Sequence, residues 1–193
     1  MRIVIINGSP RENGSTHMAL SIVEKELHKS GIETAWVHLG KKAVHSCIEC
    51  GFCKKEKRCV FNDDLCNTII DEIIQADGIL IGSPVYFASA NGGLCALLDR
   101  VFYATCTWHQ MFAGKLGAAV VTRYRSGGSA ALDRLHKYFL ASQISIATGN
   151  DFMAFPEISN VGIDSENKGF LQTLGANMVK MLKERAGGQK DEI

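Results

Sequence analysis

The 193-residue chain has only three prolines, almost no net charge and no long apolar run, and each shortage excludes something. Its 21 basic and 20 acidic residues are interspersed, so no basic stripe exists to track a nucleic acid, and a membrane surface lacks the same attraction. One arginine precedes the first β-rich run, without an apolar helix of spanning length or a small-residue cleavage pattern, so the expected location is cytoplasmic. Seven cysteines in a reducing compartment are not expected to form disulfides, and their spacing must mean something else. Two nucleotide fingerprints are missing as well. A dinucleotide loop needs Gly-x-Gly-x-x-Gly and an acidic residue about 20 positions on. Here Gly8 and Gly14 stand too far apart, and the second predicted strand closes in Trp36-Val37-His38-Leu39. A nucleoside triphosphate loop needs Gly-Lys-Ser/Thr, whereas Gly14-Ser15-Thr16 has no lysine.

What is present is an alternation of short β-rich runs with longer helical ones, the pattern of a βαβ series. Strands are expected at 2–6, 32–39, 78–82, 116–122 and 144–147, and helices at 15–29, 65–75, 94–103, 129–141 and 164–183. Asp63-Asp64 is expected to cap the second helix. Right-handed crossovers cover such a sheet on both faces, which gives an α/β, three-layer sandwich around a five-stranded parallel sheet in flavodoxin-like order 2-1-3-4-5. The chain reads as one domain over residues 1–186, with a cysteine-rich insertion at 45–62 and a flexible tail at 187–193. The stretch from Gly149 to Lys168 is long for an unstructured connection and suggests a lid or an oligomer contact.

Function concentrates at three strand-to-helix loops. Gly8-Ser9-Pro10 follows the first strand, Gly82-Ser83-Pro84 repeats it after the third, and Thr122 to Gly128 follows the fourth. In the 2-1-3-4-5 order the first two face each other across the topological switch point, where ligands of such sheets bind. Uncapped N–H groups at a helix start favour an anion. The hydroxyls of Ser9, Ser15 and Thr16, with Arg11 for charge, suit a mononucleotide phosphate held without a metal. A plain helix cap would account for Ser15 and Thr16, but Gly8, Pro10, Gly14 and the second loop favour the phosphate. Pro84, Val85, Tyr86, Phe87, Ala88 and Ser89 set aromatics and backbone groups beside the crevice for a flat ligand.

These residues, with Leu98-Asp99-Arg100, resemble the NAD(P)H-dependent FMN reductases of the flavodoxin-like superfamily over most of the chain. The resemblance implies that FMN phosphate sits on Ser9, Arg11, Ser15 and Thr16 and that the isoalloxazine meets residues 84 to 89. Thr122, Arg123, Gly127 and Gly128 are similar to the family's third flavin loop. Ala90-Asn91-Gly92-Gly93 departs from the family's more helical entry, so the next helix is expected to start late. No side-chain acid or base is needed for hydride transfer, and none is assigned.

Cys47-x2-Cys50-x2-Cys53-x5-Cys59 places four thiols within 13 residues. Successive spacings of three resemble ferredoxin-type ligation of a cubane rather than paired zinc knuckles, while zinc or an empty loop stays open. With Gly51 between the middle thiols and Asp63-Asp64 after the last, the run resembles the iron–sulfur flavoproteins. That resemblance implies a [4Fe–4S] cluster beside FMN, electrons from NAD(P)H or a ferredoxin, a small-molecule acceptor, and a homodimer or homotetramer. A cluster-free quinone or azo reductase and a flavodoxin-type carrier are the alternatives. Cys66, Cys95 and Cys106 read as small buried hydrophobes, His45 as a surface loop residue, and Trp108 and His109 as a loop that packs or covers a neighbour.

Overall fold

A computed structural model of the chain describes residues 1–149, 157–159 and 165–188. The sheet is set by apolar runs buried on both faces. In β1 (Arg2–Asn7) every residue after Arg2 is buried, and successive side chains serve opposite layers. Ile3 and Ile5 pack with Leu80, Leu116, Ala118 and Val120 against α1 (Ser15–Lys29) and α6 (Ser165–Gly188). Val4 and Ile6 pack with Ile79, Ile81, Ala119 and Val121 against α3 (Cys66–Ile74), α4 (Gly92–Thr105) and α5 (Gly128–Ala141). This period of two, read off both faces, is the signature of a parallel sheet sandwiched between helices.

Strand order is β2 (Glu33–His38), β1, β3 (Gly78–Tyr86), β5 (Leu116–Arg123), β6 (Ser145–Ile146), all parallel. That is the expected flavodoxin-like order with two short additions. β4 (Ser89–Ala90) turns back antiparallel on β3, and β7 (Glu157–Ser159) pairs with the far end of β5. The edge strand is therefore split. β6 lies beside Leu116 and Gly117, and β7 lies beside Val121 to Arg123. Within 149–168, the stretch expected to act as a lid or an oligomer contact, residues 157–159 form a strand, and residues 150–156 and 160–164 lie outside the described residues.

Three further boundaries moved for identifiable reasons. β3 does not stop at Gly82, because the ladder with β5 continues through Ser83 opposite Val121 and Pro84 opposite Thr122. Past Gly82 the strand has no β1 partner left, so a residue without an N–H is tolerated there. α4 begins at Gly92 rather than at Leu94, because the Asn91 side-chain oxygen accepts from the N–H groups of Gly93 at 2.8 Å and Leu94 at 3.2 Å. α6 continues through Gly188, so the tail expected at 187–193 is corrected at 187 and 188, and residues 189–193 lie outside the described residues. The cysteine-rich insertion is irregular apart from one helical turn, α2 (Cys53–Glu56).

The close approach of β1 and β3 at their carboxyl ends is what shapes the crevice. The Gly8 N–H donates to the Gly82 carbonyl at 2.8 Å, and a Cβ on Gly8 would stand 2.8 Å from that same oxygen and 2.4 Å from a Leu94 methyl. Gly8→Ala should lower stability by about 1–3 kcal/mol through overpacking against backbone. Gly92→Ala, whose Cβ meets nothing within 4 Å, should be neutral or stabilising by up to about 1 kcal/mol. Urea midpoints of the two variants against the parent check this, and equal shifts would contradict it.

Candidate functional site

The loop from Gly8 to Gly14 spends its own polar groups on holding its shape. Ser9 N–H donates to Asn7 Oδ1 at 3.1 Å, Arg11 N–H to Ser9 Oγ at 3.1 Å, and Gly14 N–H to the Arg11 carbonyl at 3.3 Å. His38 at the end of β2 reaches the Ser9 carbonyl through Nε2 at 2.8 Å. What this rigid loop leaves open is the start of α1. Gly14 is its cap residue and supplies no side chain, and the first turn contains no acidic group. A helix start of this kind carries a partial positive charge and attracts anions.

Opposite that helix start stand the end of β3 and the end of β5. Ser9, Arg11, Gly14, Ser15, Thr16, Pro84, Val85, Tyr86, Thr122, Arg123 and Tyr124 line one cleft of about 290 Å³. Among the described residues two arginines and no carboxylate border it. The buried hydroxyls of Thr16 and Thr122 share a hydrogen bond of 2.8 Å across 106 residues of sequence and so join the first loop to the third.

Nine of the fourteen residues expected around the flavin therefore meet in one place: Ser9, Arg11, Ser15, Thr16, Pro84, Val85, Tyr86, Thr122 and Arg123. The other five do not line the cleft. Phe87 and Ala88 form the turn between β3 and β4 with φ of 47° and 64°, and the Phe87 ring is fully exposed. Both central residues of a tight hairpin turn adopt such values, which non-glycine residues reach only under strain. Ser89 follows on β4. Gly127, at φ 91°, packs so closely that a Cβ would lie 2.5 Å from the Ala88 Cα and so braces the turn, while Gly128 is the buried first residue of α5. Gly14, named in the first loop from sequence, also lines the cleft, and Tyr124 is the lining residue that sequence reasoning did not assign. Gly14 was legible as the residue before a helix start; Tyr124 follows the end of β5 and carried no signal of its own.

Cys47, Cys50, Cys53 and Cys59 line a second cleft, with Gly51, Phe61, Arg100 and Tyr103 among its walls. Cys47 and Cys50 are exposed, Cys59 is half-buried and Cys53 is buried. Among the described residues no three His, Cys, Asp or Glu side chains are gathered tightly enough to grip a single metal ion. The thiols nonetheless sense one another: burial pushes the Cys53 thiol up, and charge on Cys50, Cys47 or Cys59 pushes it further. Glu49, Gly51 and Lys57 all have positive φ, at 52°, 74° and 55°, and so bend the loop around the cleft. His109 Nε2 lies 3.3 Å from the Cys53 carbonyl and the Lys54 ammonium lies over the Trp108 ring, so this pair packs on the cysteine loop. Cys66 is fully buried and its thiol is pushed up to about 12 by burial, as a neutral core group. Cys95 and Cys106 are half-buried against the same core.

The loop is pinned to α4 by Arg100, whose side chain is 1% exposed. Its guanidinium grips the Asp64 carboxylate with both terminal nitrogens, donates to the His45 carbonyl at 3.1 Å, and directs Nε–H at Cys59 Sγ at 3.1 Å. Burial alone would push the Asp64 carboxyl up, but the bonds from Arg100 and the Cys66 N–H outweigh it and hold it below the ordinary carboxylate range. The expected cap at Asp63-Asp64 is therefore half present. Asp64 caps α3 while serving Arg100, and Asp63 pairs at the surface with His45, whose ring stacks on Phe61.

Comparison with known proteins agrees with this geometry. The family profile described as NADPH-dependent FMN reductase matches residues 1–156. An iron–sulfur flavoprotein of Methanocaldococcus jannaschii is 33% identical over 153 residues, which cover 78% of this chain and 78% of the relative. Among solved structures, a flavone reductase superposes with a TM-score of 0.74 at 14% identity, over 96% of this chain and 64% of that one. A flavodoxin from the domain Archaea superposes with a TM-score of 0.63 at 12% identity, over 95% of this chain and 99% of that one. At such identities the solved structures speak for the fold, whereas the profile speaks for descent: the chain belongs to the NADPH-dependent FMN reductase family of flavin-dependent oxidoreductases.

Proposed function

We propose that this protein binds FMN in the cleft at the carboxyl ends of β1, β3 and β5, and a [4Fe–4S] cluster on Cys47, Cys50, Cys53 and Cys59. It takes electrons from NAD(P)H or a ferredoxin and hands them to a small-molecule acceptor. The observation that carries the flavin half is the start of α1, which has no side-chain cap and opens into a cleft bordered by Arg11 and Arg123 and, among the described residues, by no carboxylate. The fit is good on three counts. The helix start and hydroxyls suit a phosphate, the extended Pro84-Val85-Tyr86 backbone suits the polar edge of a flat ring, and the Thr16–Thr122 bond holds both walls in place.

For the cluster, the donor set is four thiols lining one cleft, coupled in charge and not drawn together around a point. Zinc demands four ligands at about 2.3 Å in a tetrahedron, whereas a cubane offers a separate iron to each thiolate. The successive spacings of three, rather than paired knuckles far apart, favour the cubane. FMN supplies the exchange between paired and single electrons, and the protein's part is to bind, orient and insulate. Arg11 and the α1 start anchor the phosphate end. Tyr86 and Tyr124, both exposed at the cleft mouth, would offer aromatic surface to a flat ring held there. We further propose a homodimer or homotetramer that works in the cytoplasm.

Anaerobic purification should yield one FMN per chain together with about four iron and four sulfide, measured by extraction and colorimetric assay. Flavin without iron would leave a cluster-free reductase, and one zinc per chain would contradict the cubane. Arg11→Ala should weaken FMN binding by about 10- to 100-fold, the worth of a charge-assisted hydrogen bond of about 1.5–3 kcal/mol. Thr16→Val should cost about 1–3 kcal/mol of stability, because it strands the buried Thr122 hydroxyl. Flavin fluorescence titration and thermal unfolding read the two effects.

A further inference from the structure

Arg100 has more bonds than a loop anchor needs. The grip on Asp64 and the bond to the His45 carbonyl already hold both flanks of the cysteine run, since His45 precedes Cys47 and Asp64 follows Cys59. A further donor, Nε–H, is spent on a sulfur: Cys59 Sγ at 3.1 Å. The guanidinium lies over the Phe61 ring, 5.1 Å from its centroid, and its side chain and that of Asp64 are 1% and 4% exposed. Water therefore does little to screen this pair from the thiol beside it.

The reduction potential of a thiolate-ligated cluster depends on net charge, hydrogen bonds to the sulfurs and solvent exposure. A donor aimed at a ligand sulfur and carrying positive charge favours the more negative, reduced state and raises the potential. The buried Asp64 carboxylate, held on the terminal nitrogens of the same guanidinium, works against it. We infer that Arg100 and Asp64 form an opposed positioning pair that sets the reduction potential of the group held by Cys59, Arg100 raising it and Asp64 lowering it. This rests on the cluster reading above, and the pair acts through Cys59 without touching substrate.

The test is a potentiometric titration of the anaerobically purified protein, followed by electron paramagnetic resonance, with iron and sulfide assayed on each sample. Asp64→Asn should shift the cluster potential positive. Arg100→Gln should shift it negative, and Arg100→Lys should shift it negative by less, because the lysine keeps the charge but loses the Nε–H. Should Arg100→Gln fail to fold around the stranded carboxylate, the double variant Asp64→Asn/Arg100→Gln should still lie negative of Asp64→Asn alone. The flavin potential should stay put in all of them. Shifts of one sign for both residues, or iron loss with an unmoved potential in the remaining clusters, would show a purely structural role and overturn the inference. Wild-type protein without iron or sulfide would bring down the cluster reading and this inference together, whereas an intact cluster with unresponsive potential would bring down the inference alone.

Discussion

Everything at the carboxyl end of the sheet follows from β1 and β3 lying side by side while their helices leave on opposite faces. The register sets Asn7 opposite Gly82, so the chain after β1 turns to α1 on one layer and the chain after β3 reaches α4 on the other. A crevice opens wherever consecutive crossovers part in this way. Its walls can approach only because Gly8 has no side chain to strike Gly82 and Leu94. The Thr16–Thr122 bond then ties the next strand into the same crevice, so three stretches far apart in sequence become one surface.

The cysteine insertion is held by a different kind of force. It contributes one helical turn and few core side chains, yet it is ordered, because a buried ion pair reaches both its ends. Removing one partner of such a pair costs about 3–5 kcal/mol, since the other is left charged in a poor solvent. The Arg100–Asp64 bond therefore fixes the loop more firmly than its apolar contacts would. Asn67 adds to this by bonding the Cys59 N–H and the carbonyls of Cys59 and Phe61, at 2.9, 3.0 and 3.1 Å. A loop shaped before any metal arrives loses less entropy on binding one.

Much of this was legible in the residues. The short apolar β-rich runs announced the strands, and the loops after them announced the cleft. Gly-Ser-Pro shows where such reading ends: at 8–10 it forms a loop, while at 82–84 the same three residues continue a strand. Nothing in the tripeptide differs. The first copy is held as a loop by Asn7 Oδ1 and Ser9 Oγ, which accept from the Ser9 and Arg11 N–H groups, whereas the second lies beside β5, which runs on to Arg123 and pairs with Ser83 and Pro84. Partner length is a tertiary fact. The same holds for Arg100, which stood out only as part of a short motif. Its meaning came from Asp64 and Cys59, 36 and 41 residues away. The Asn91 cap, by contrast, was readable and was overlooked among the glycines around it.

α4 is what makes the two clefts one device. Its first turn is fastened to the flavin side: the Asn91 N–H donates to Ser83 Oγ at 3.0 Å, and the Ser83 hydroxyl donates to the Pro84 carbonyl at 2.8 Å, beneath the strand that walls the cleft. Arg100 lies eight residues beyond Gly92 on the same helix, roughly 12 Å along its axis at 1.5 Å per residue. A helix packed through Leu94, Leu97, Leu98 and Val101 into the core does not stretch, so the separation of the clefts is fixed by the fold. Whatever is bound at either end, the protein contributes a constant distance between them. The cysteine loop is therefore best understood as fitted to α4, and through α4 to the strand ends, rather than as an independent module inserted into a flavin-binding sheet.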